Sequence, residues 1–456
     1  MTHCIVVGGG VAGLAAALRL SSDERYRVTL FESAPALGGR VRSFVDRDSG
    51  TESDNGQHVL MGACTAALDY LGEIGTASSL ARLRGMSLPF VHIDGRRSLL
   101  QAGALPHPLS LVVAFLRYDM LSFRARMRIL RAAIRLRRLS GSGLDALDDL
   151  TAEAWLRNLG QGSAEMLAFW QPLVLATMNS TPSQASARLF AALLREIFLG
   201  ARDAADMLLP DAALSGIFIE PAVSELQRRG VIVRSGTTVT ALACPEEGSG
   251  RRVTAVIAGD ERLATDAVIL AMPPWALRRL RLIDASGKQT DRPLPDVLLP
   301  GIDLAAFIPS EILSVHVWLR RSAGTSPMTG LLGTTLQWVF FKGKTAEGQY
   351  HYSCTVSGAE GHETTHRDAL RRLVLRELAL LAPGLVDGDI IRILPIREKR
   401  ATFVPAPGIE RMRPQARTGV RGLYLAGDWT ATGLPATIEG AVRSANSAVE
   451  AVGNHK

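Results

Sequence analysis

The glycine-rich segment near the N-terminus constrains the fold of this 456-residue chain more than any other feature. An apolar run over residues 3–7 predicts a short buried parallel strand. Gly8, Gly10 and Gly13 follow it at the G-x-G-x-x-G spacing, and strong helix formers come directly after them. Such glycines permit a tight turn, the approach of a pyrophosphate to the backbone, and close packing of helix on strand. The segment therefore predicts a strand–turn–helix unit that binds a dinucleotide.

The residues that follow complete this unit. A second predicted strand over residues 27–31 ends at Glu32, where an acid accepts hydrogen bonds from the ribose hydroxyls of an adenosine. Unpaired N–H groups at the helix start, around Ala12, favour a pyrophosphate together with the helix dipole. A glycine-rich turn without a ligand is the alternative interpretation. The order of strand, helix, strand and acid favours dinucleotide binding, and Glu32 disfavours NADP because it would repel a 2′-phosphate.

A G-G-R segment, made of Gly38, Gly39 and Arg40, comes shortly after Glu32. Arg40 offers a rigid fork of donors that suits phosphate oxygens. Together with the preceding unit, this segment resembles the amine oxidase and phytoene desaturase superfamily of flavoenzymes, in which it reaches back to the diphosphate of FAD. The alternative is a surface turn beside a solvated arginine. The resemblance implies that the bound dinucleotide is FAD.

The C-terminal part of the chain carries a second motif of the same superfamily. An apolar run over residues 423–426 leads into Gly427 and Asp428, and the resemblance implies that this aspartate lies near the ribityl chain and the diphosphate. Thr437 and Ile438 lead into an E-G-A helix start, which the superfamily places beneath the isoalloxazine. A helix N-terminus there would stabilise negative charge on the reduced flavin. The alternative for Asp428 is a helix cap or a turn residue.

Two further cofactor contacts come from the resemblance alone. It implies that the backbone near Val239 contacts the adenine and that the loop containing Gly56 runs beside the isoalloxazine. The same loop offers Asp54 and His58 as candidates for a catalytic acid. The alternatives are a turn residue bonded to its own backbone for Asp54 and a hydrogen-bonded structural histidine for His58.

Several short strings resemble the hydroxysqualene dehydroxylase branch of the superfamily, which acts in hopanoid biosynthesis. They are residues 54–60, 105–109, 170–173 and 179–182. The resemblance implies a linear, apolar triterpenoid substrate: hydroxysqualene would lose its hydroxyl as water and receive a hydride from reduced FAD, giving squalene. Alternatives of the same fold are a carotenoid or phytoene-type desaturase, an amine oxidase and a non-catalytic prenyl-lipid chaperone.

The fold class follows from these motifs and from the resemblance. We expect an α/β protein with a Rossmann-like, two-dinucleotide-binding FAD domain into which a mixed α+β substrate domain is inserted. The FAD domain would comprise residues 1–75, 215–285 and 390–456. The substrate domain would comprise residues 76–214 and 286–389.

Charge and cysteine usage limit the classes of partner. The net charge is +7, but the sequence has no zinc-finger spacing, no RNP-like aromatic run and no long basic tail, so we expect no nucleic-acid partner. The four cysteines are far apart and form no C-x-x-C pair. This spacing argues against a disulfide framework and against a metal site, and it favours a cytoplasmic protein. The sequence leaves the oligomeric state open.

The segment 109–138 bears on a membrane partner. We expect no signal peptide, and no apolar run reaches the roughly 20 residues that span a bilayer. Residues 109–138 nevertheless combine an apolar stretch with clustered arginines, which predicts peripheral docking on an anionic membrane surface at the inner face of the cell membrane. The alternative is a solvated basic face on a helix that packs against the core.

Overall fold

The computed structural model describes residues 1–46, 50, 52–83, 87–102, 109–247, 250–284, 288, 294–360 and 366–454. Of the string at 105–109, only Leu109 lies within the described residues. In chain order the strands are β1 Thr2–Val7, β2 Tyr26–Phe31, β3 Ser43–Val45, β4 Glu52–Asp54, β5 Leu60–Met61, β6 Leu80–Leu83, β7 Ser87–His92, β8 Arg97–Gln101, β9 Met207–Pro210, β10 Ile232–Arg234, β11 Val239–Ala243, β12 Glu246–Glu247, β13 Gly250–Arg252, β14 Ala255–Ala258, β15 Glu261–Ala264, β16 Ala267–Leu270, β17 Arg281–Ile283, β18 Pro309–Leu319, β19 Met328–Leu332, β20 Trp338–Lys344, β21 Tyr350–Ser357, β22 Ile390–Phe403, β23 Val420–Arg421 and β24 Leu423–Leu425.

The helices are concentrated between β8 and β9 and at the two ends of the chain. They are α1 Val11–Ser21, α2 Thr65–Glu73, α3 Leu109–Arg117, α4 Phe123–Arg137, α5 Gly141–Asp145, α6 Ala152–Asn158, α7 Ser163–Glu165, α8 Gln171–Met178, α9 Ala187–Leu199, α10 Glu220–Arg228, α11 Pro274–Leu277, α12 Leu294–Leu298, α13 Arg367–Leu378 and α14 Ile438–Gly453. Two π-helical turns, Met166–Trp170 and Ser215–Ile219, precede α8 and α10.

A five-stranded parallel sheet in the order β10-β2-β1-β16-β24 contains the strand of the predicted strand–turn–helix unit. β1 lies in the middle, and its last four residues are buried, as the apolar run predicts. α1 follows β1 and packs against α14, with Ala16 and Ala445 fully buried. Small side chains at this contact let the two helices approach closely. The predicted α/β fold is confirmed, and strands from both ends of the chain share one sheet.

A seven-stranded sheet in the order β22-β18-β21-β20-β19-β7-β8 lies beside it. One face of this sheet is apolar: Val315 and Cys354 pack there with Val374 of α13. Side chains alternate between the faces of a strand, so His316 and Trp338 lie on the opposite face. That second face is the one that approaches the loop around Asp54, because His316 bonds to its backbone.

The predicted boundary at residue 390 falls at the start of a strand of the seven-stranded sheet. β22 pairs with β18 from Ile390 to Phe403. This pairing joins residues 390–403 to the sheet that carries residues 309–319, rather than to the parallel sheet. The domain ranges given from the sequence stay predictions.

No helix in the described part of the chain is both long and apolar enough to cross a bilayer.

Candidate active site

Two glycines of the first turn are required by packing within the protein. Gly8 has a φ of +113°, and a β-carbon there would overlap the carbonyl oxygen of Ala271. A β-carbon at Gly13 would overlap the carbonyl oxygen of Gly8 itself. Both positions therefore exclude any larger residue, whether or not a ligand is bound. They hold α1 close to the end of β1.

Gly10 differs from these two glycines. It has an ordinary φ of −75°, and a β-carbon there would meet no atom within 4 Å. Neither backbone strain nor protein packing requires glycine at this position. Gly10 also stands at the N-cap of α1, where no side chain caps the helix and no acid lies in the first turn. The open space therefore faces the free N–H groups around Ala12, an arrangement that suits an anionic group such as a diphosphate.

Glu32 lies beside this turn. Its carboxylate accepts hydrogen bonds from the backbone N–H of Gly9, at 2.7 Å, and from that of Ala34, at 2.8 Å. The backbone of Glu32 also accepts from Thr237, at 2.9 Å. That bond brings the start of β11, where Val239 is buried, to the same end of the parallel sheet. The two residues that the resemblance assigns to the adenosine half are thus close together.

The G-G-R segment lies against the first glycine turn. Gly38 donates its N–H to the carbonyl of Gly9 at 2.8 Å, and Gly10 and Gly38 form an isolated parallel bridge. Gly38 and Gly39 have φ values of +111° and +57°, which favour glycine. A β-carbon at Gly39 would lie 3.5 Å from the Cα of Gly10. The two glycine segments therefore border the same space.

Arg40 joins the N-terminal segment to the C-terminal one. Its Nη2 donates to Oδ1 of Asp428 at 2.7 Å, and its Nη1 donates to the carbonyl of Ala401 at 3.0 Å. The Asp428 side chain is only 8% exposed. Just before it, Gly427 has a φ of +136° and donates its N–H to Oγ of Ser444 in α14 at 2.7 Å. Arg40 and Asp428, which the resemblance assigns to the same cofactor, are therefore in direct contact.

Arg413 is a residue of this region that the sequence interpretation missed. Its side chain is fully buried and donates to the carbonyls of Asp428, at 2.9 Å, and Leu434, at 2.6 Å. It also pairs with Glu410 at 2.9 Å. Burial lowers the pKa of Arg413, while the charge of Glu410 opposes that change. The signal in the sequence was a single basic residue between Met412 and a proline, too common a pattern to single out.

The start of α14 is built by its own cap. Thr437 is the N-cap, and its Oγ1 accepts from the N–H of Gly440 at 3.0 Å, with Ile438 as the first helical residue. Glu439, only 3% exposed, accepts from the N–H groups of Ala66, at 3.2 Å, and Ala67, at 2.8 Å. Glu439 therefore caps α2 rather than its own helix, and it fixes α14 against the N-terminal part of the chain.

Asp54 is held by several donors. It is 5% exposed, and its Oδ1 accepts from Oγ of Ser43 at 2.7 Å and from the N–H of Leu214 at 3.0 Å. Nζ of Lys342 lies 3.5 Å from its Oδ2. All three neighbours present donor groups to the Asp54 carboxyl oxygens. Such contacts suit a positioning residue better than a proton donor.

His58 lies four residues further along the same loop, partly exposed and close to Arg40. Burial lowers its pKa from the ordinary value for histidine, and the charge of Asp54 opposes that lowering. Gly56, between the two candidates, is near the seven-stranded sheet: a β-carbon there would lie 3.8 Å from Oγ of Ser314. The loop thus lies between the Arg40–Asp428 pair and that sheet.

A buried pair of histidines contacts this loop from the seven-stranded sheet. Nε2 of His316 lies 3.1 Å from the carbonyl of Asp54, and its Nδ1 lies 3.0 Å from Nε2 of His351. The ring of His351 stacks on Trp318 with centroids 4.4 Å apart. Burial, the neighbouring His316 and Lys342 lower the pKa of His351 to about 3. Burial also lowers the pKa of His316 and thus favours the neutral form of both rings, so the pair is suited to positioning the loop.

Among the described residues, no group of three or more His, Cys, Asp or Glu side chains is placed to hold a metal ion. The ligand-binding features of the site are those that fit a dinucleotide: an uncapped helix start, glycines that border open space, and an arginine at its far side.

The comparisons with known proteins agree with this geometry. The model of the family described as flavin containing amine oxidoreductase matches residues 11–453. A hydroxysqualene dehydroxylase of Sinorhizobium fredii is 31% identical over 98% of this chain and 97% of its own length. One of Rhodopseudomonas palustris is 32% identical with the same two coverages. The crystal structure of an oxidoreductase from Methanosarcina mazei, 16% identical, superposes with a TM-score of 0.71 over 98% of this chain and 100% of that one.

These matches confirm the superfamily that the G-x-G-x-x-G and G-G-R segments indicated, as well as the similarity to hydroxysqualene dehydroxylases. They also favour an enzyme over a non-catalytic protein of this fold, because the family is one of oxidoreductases. The chain is a flavin-dependent enzyme and belongs to the flavin-containing amine oxidoreductase family.

Proposed function

We propose that this protein binds FAD and uses it to convert hydroxysqualene to squalene. The main observation in support of FAD is the contact of Arg40 with Asp428, together with the open space at Gly10. An uncapped helix start, a ribose-binding acid at Glu32 and an arginine at the far side suit the two phosphates and the adenosine of FAD. The substrate is supported by the two hydroxysqualene dehydroxylases, each over 30% identical across nearly the whole chain.

The proposed reaction is a reductive dehydroxylation. The C–O bond of the alcohol breaks, and the oxygen takes the bonding electrons and a proton and leaves as water. When bound in its reduced form, FAD supplies the hydride that replaces the hydroxyl. Hydroxide is a poor leaving group, so the protein must deliver a proton to the oxygen as the bond breaks.

We assign the proton donor to His58 and a positioning role to Asp54. Ser43, Leu214 and Lys342 engage the Asp54 carboxyl group, which suits a residue that positions the loop. His58 lies on the same loop, where burial lowers its pKa and the charge of Asp54 counteracts that effect. Burial favours neutral imidazole, so only the protonated fraction of His58 acts, and that fraction is a stronger acid than free histidine.

A linear triterpene is insoluble in water, and helices α3 and α4 offer a route to the membrane that holds it. The buried stripe of α4 consists of Ala125, Ile129, Ala132 and Leu136. Its outer side leaves Phe123 66% exposed and Ile134 53% exposed, and the neighbouring Arg131 and Arg135 are exposed as well. In α3, Leu109 is also 58% exposed. Exposed apolar side chains flanked by arginines are typical of peripheral docking on an anionic lipid surface, here at the inner face of the cell membrane.

Vesicle flotation tests the docking. We expect the protein to float with phosphatidylglycerol vesicles at low salt and to stay behind with phosphatidylcholine vesicles. Charge reversal at Arg131 and Arg135 should abolish flotation, whereas reversal at Arg25, an exposed arginine of another surface, should not. Equal recovery of wild type with both lipids would contradict electrostatic docking.

Product analysis tests the reaction. The FAD-loaded protein is reduced chemically without oxygen and incubated with hydroxysqualene, and the lipids are analysed by gas chromatography and mass spectrometry. We expect one squalene for each reduced flavin, together with oxidation of the flavin absorbance. A desaturase would instead require oxidised flavin and would add double bonds. Unchanged hydroxysqualene beside reduced flavin would contradict the proposed function.

A further inference from the structure

Three neighbouring strands of the seven-stranded sheet place unpaired polar groups side by side. Ser314 of β18 is opposite Thr355 of β21, and Thr355 is opposite Trp338 of β20. Residues opposite each other in a sheet share a face, so the three side chains form one row, which we call the polar row. Oγ of Ser314, Oγ1 of Thr355 and Nε1 of Trp338 have no hydrogen-bond partner among the residues that the structure describes.

The polar row is unusual because it is buried. Ser314 is 0%, Trp338 5% and Thr355 9% exposed. Buried polar groups in native proteins almost always have a partner, and an isolated exception is destabilising. Three exceptions in adjacent positions on one face point to a shared partner other than the residues that the structure describes. Because the indole N–H can only donate, that partner must include a hydrogen-bond acceptor.

The surroundings of the polar row limit what this partner is. The residue opposite Ser314 on β22 is Ile396, and Phe90 packs on the ring of Trp338 with centroids 5.6 Å apart. Apolar side chains therefore flank the row on these two sides, while His316 and Ser353 lie on the same face two positions away. A polar group beside apolar side chains suits a hydrocarbon that carries an oxygen atom.

One end of the polar row reaches the candidate active site. Ser314 lies next to Gly56, as the distance of 3.8 Å to a β-carbon there indicates. His316, two residues further along β18 on the same face, bonds to the backbone of Asp54. Through Ser314 and His316, this face of the sheet therefore meets the loop that also carries His58.

We propose that the polar row binds the hydroxyl oxygen of the triterpene alcohol and thereby distinguishes the alcohol from the hydrocarbon. This inference rests on the proposed function and adds to it the residues that recognise the substrate. Trp338 donates to the oxygen, and the hydroxyls of Ser314 and Thr355 either donate or accept. The hydrocarbon product has no oxygen and leaves these groups unpaired, which favours its release. None of the three groups titrates near neutral pH, so they bind and orient the alcohol, and proton delivery stays with His58.

A binding comparison without turnover tests the polar row. With oxidised FAD bound no hydride is available, so hydroxysqualene and squalene are both plain ligands, and their dissociation constants are measured by equilibrium gel filtration in detergent micelles. Ser314→Ala, Thr355→Val and Trp338→Phe each remove one polar group; Thr355→Val also keeps the shape of the side chain, and Trp338→Phe keeps an aromatic ring. We expect each variant to bind hydroxysqualene about tenfold more weakly and squalene less than twofold differently.

Two further variants serve as controls. Thr329→Val removes a buried threonine hydroxyl from β19, opposite Val339 and hence on the other face of the sheet. It should leave the preference for the alcohol unchanged. Thr355→Ser keeps the hydroxyl of the row and should retain the preference even where Thr355→Val folds poorly.

The outcomes separate this inference from the proposed function. If wild type prefers the alcohol and all three row variants keep that preference while folded, the polar row holds only water and the inference is wrong. If wild type binds neither lipid, the proposed function is wrong and the inference with it. If the row variants lose the preference for the alcohol while wild type and Thr329→Val keep it, the result supports both the inference and the proposed function.

Discussion

A guanidinium nitrogen of Arg40 lies 2.7 Å from a carboxylate oxygen of Asp428, although 388 positions separate the two residues. The side chain of Asp428 is almost completely buried and that of Arg40 about one third exposed. The exposed part of Arg40 remains available to a phosphate, because a guanidinium carries five N–H donors. This pair therefore connects the two sequence motifs of the proposed FAD site.

Arg40→Ala should weaken FAD binding about 10- to 100-fold, which is the contribution of a hydrogen bond to a charged group. The measurement is titration of the flavin-free protein, followed by flavin fluorescence. Arg25→Ala is the control, since Arg25 is exposed and pairs only locally with Asp23. An unchanged dissociation constant of FAD for Arg40→Ala would show that Arg40 does not contribute to FAD binding.

Gly10 and Gly13 should respond differently to the same substitution. Gly10→Ala adds a methyl group to open space, so the flavin-free protein should keep its melting temperature while FAD affinity falls at least tenfold. Gly13→Ala forces a methyl group into the carbonyl of Gly8 and should destabilise the flavin-free protein by more than about 2 kcal/mol. Thermal unfolding and FAD titration measure the two effects. Tight FAD binding by Gly10→Ala would argue against a diphosphate in that space.

The pH dependence of turnover should follow His58. The proposed acid acts in its protonated form, so kcat/KM falls as the pH rises through its pKa, which burial holds below the usual value of about 6.5. Asp54→Asn removes the charge that counteracts this lowering, so the fall should move to lower pH. His58→Ala should reduce kcat about 100-fold or more and abolish the fall of kcat/KM with rising pH. If the same fall with rising pH persists in His58→Ala, the proton donor is another group.

Glu439→Ala should destabilise the protein by about 3 kcal/mol, because it leaves two buried N–H groups of α2 without an acceptor and removes a partner of Arg443. Urea unfolding of the flavin-free protein measures this loss. Glu153→Ala, which breaks an exposed pair with Arg157, should change stability by less than about 1 kcal/mol. Similar losses in both variants would contradict a structural role for Glu439.

Local motifs made the flavin-binding part predictable from the sequence. Gly8, Gly13 and Glu32 act through bonds within one strand–turn–helix unit, so their spacing carries the information. Arg40 and Asp428 belong to separate motifs, and only the family resemblance joined them. Their contact depends on strand order, with β16 between β1 and β24, which no local pattern specifies.

The substrate side was harder to predict because its key relationships are cross-strand pairs. Ser314, Thr355 and Trp338 are far apart in the chain, and each is an ordinary strand residue on its own. Their row appears only when the register of β18, β21 and β20 is known. The bond between His316 and His351 depends on that register as well. For Asp54, the sequence indicated the loop but not the three donors that engage its carboxylate.

The place of β24 at the edge of the parallel sheet has a consequence for biosynthesis. β24 and α14 come much later in the chain than β1 and α1, yet β24 leads into Asp428 and α14 begins at the Thr437 cap. During synthesis, β1 and α1 therefore leave the ribosome before the other half of the proposed cofactor site exists. We expect a truncation that removes α14 to leave a chain that cannot retain the proposed flavin.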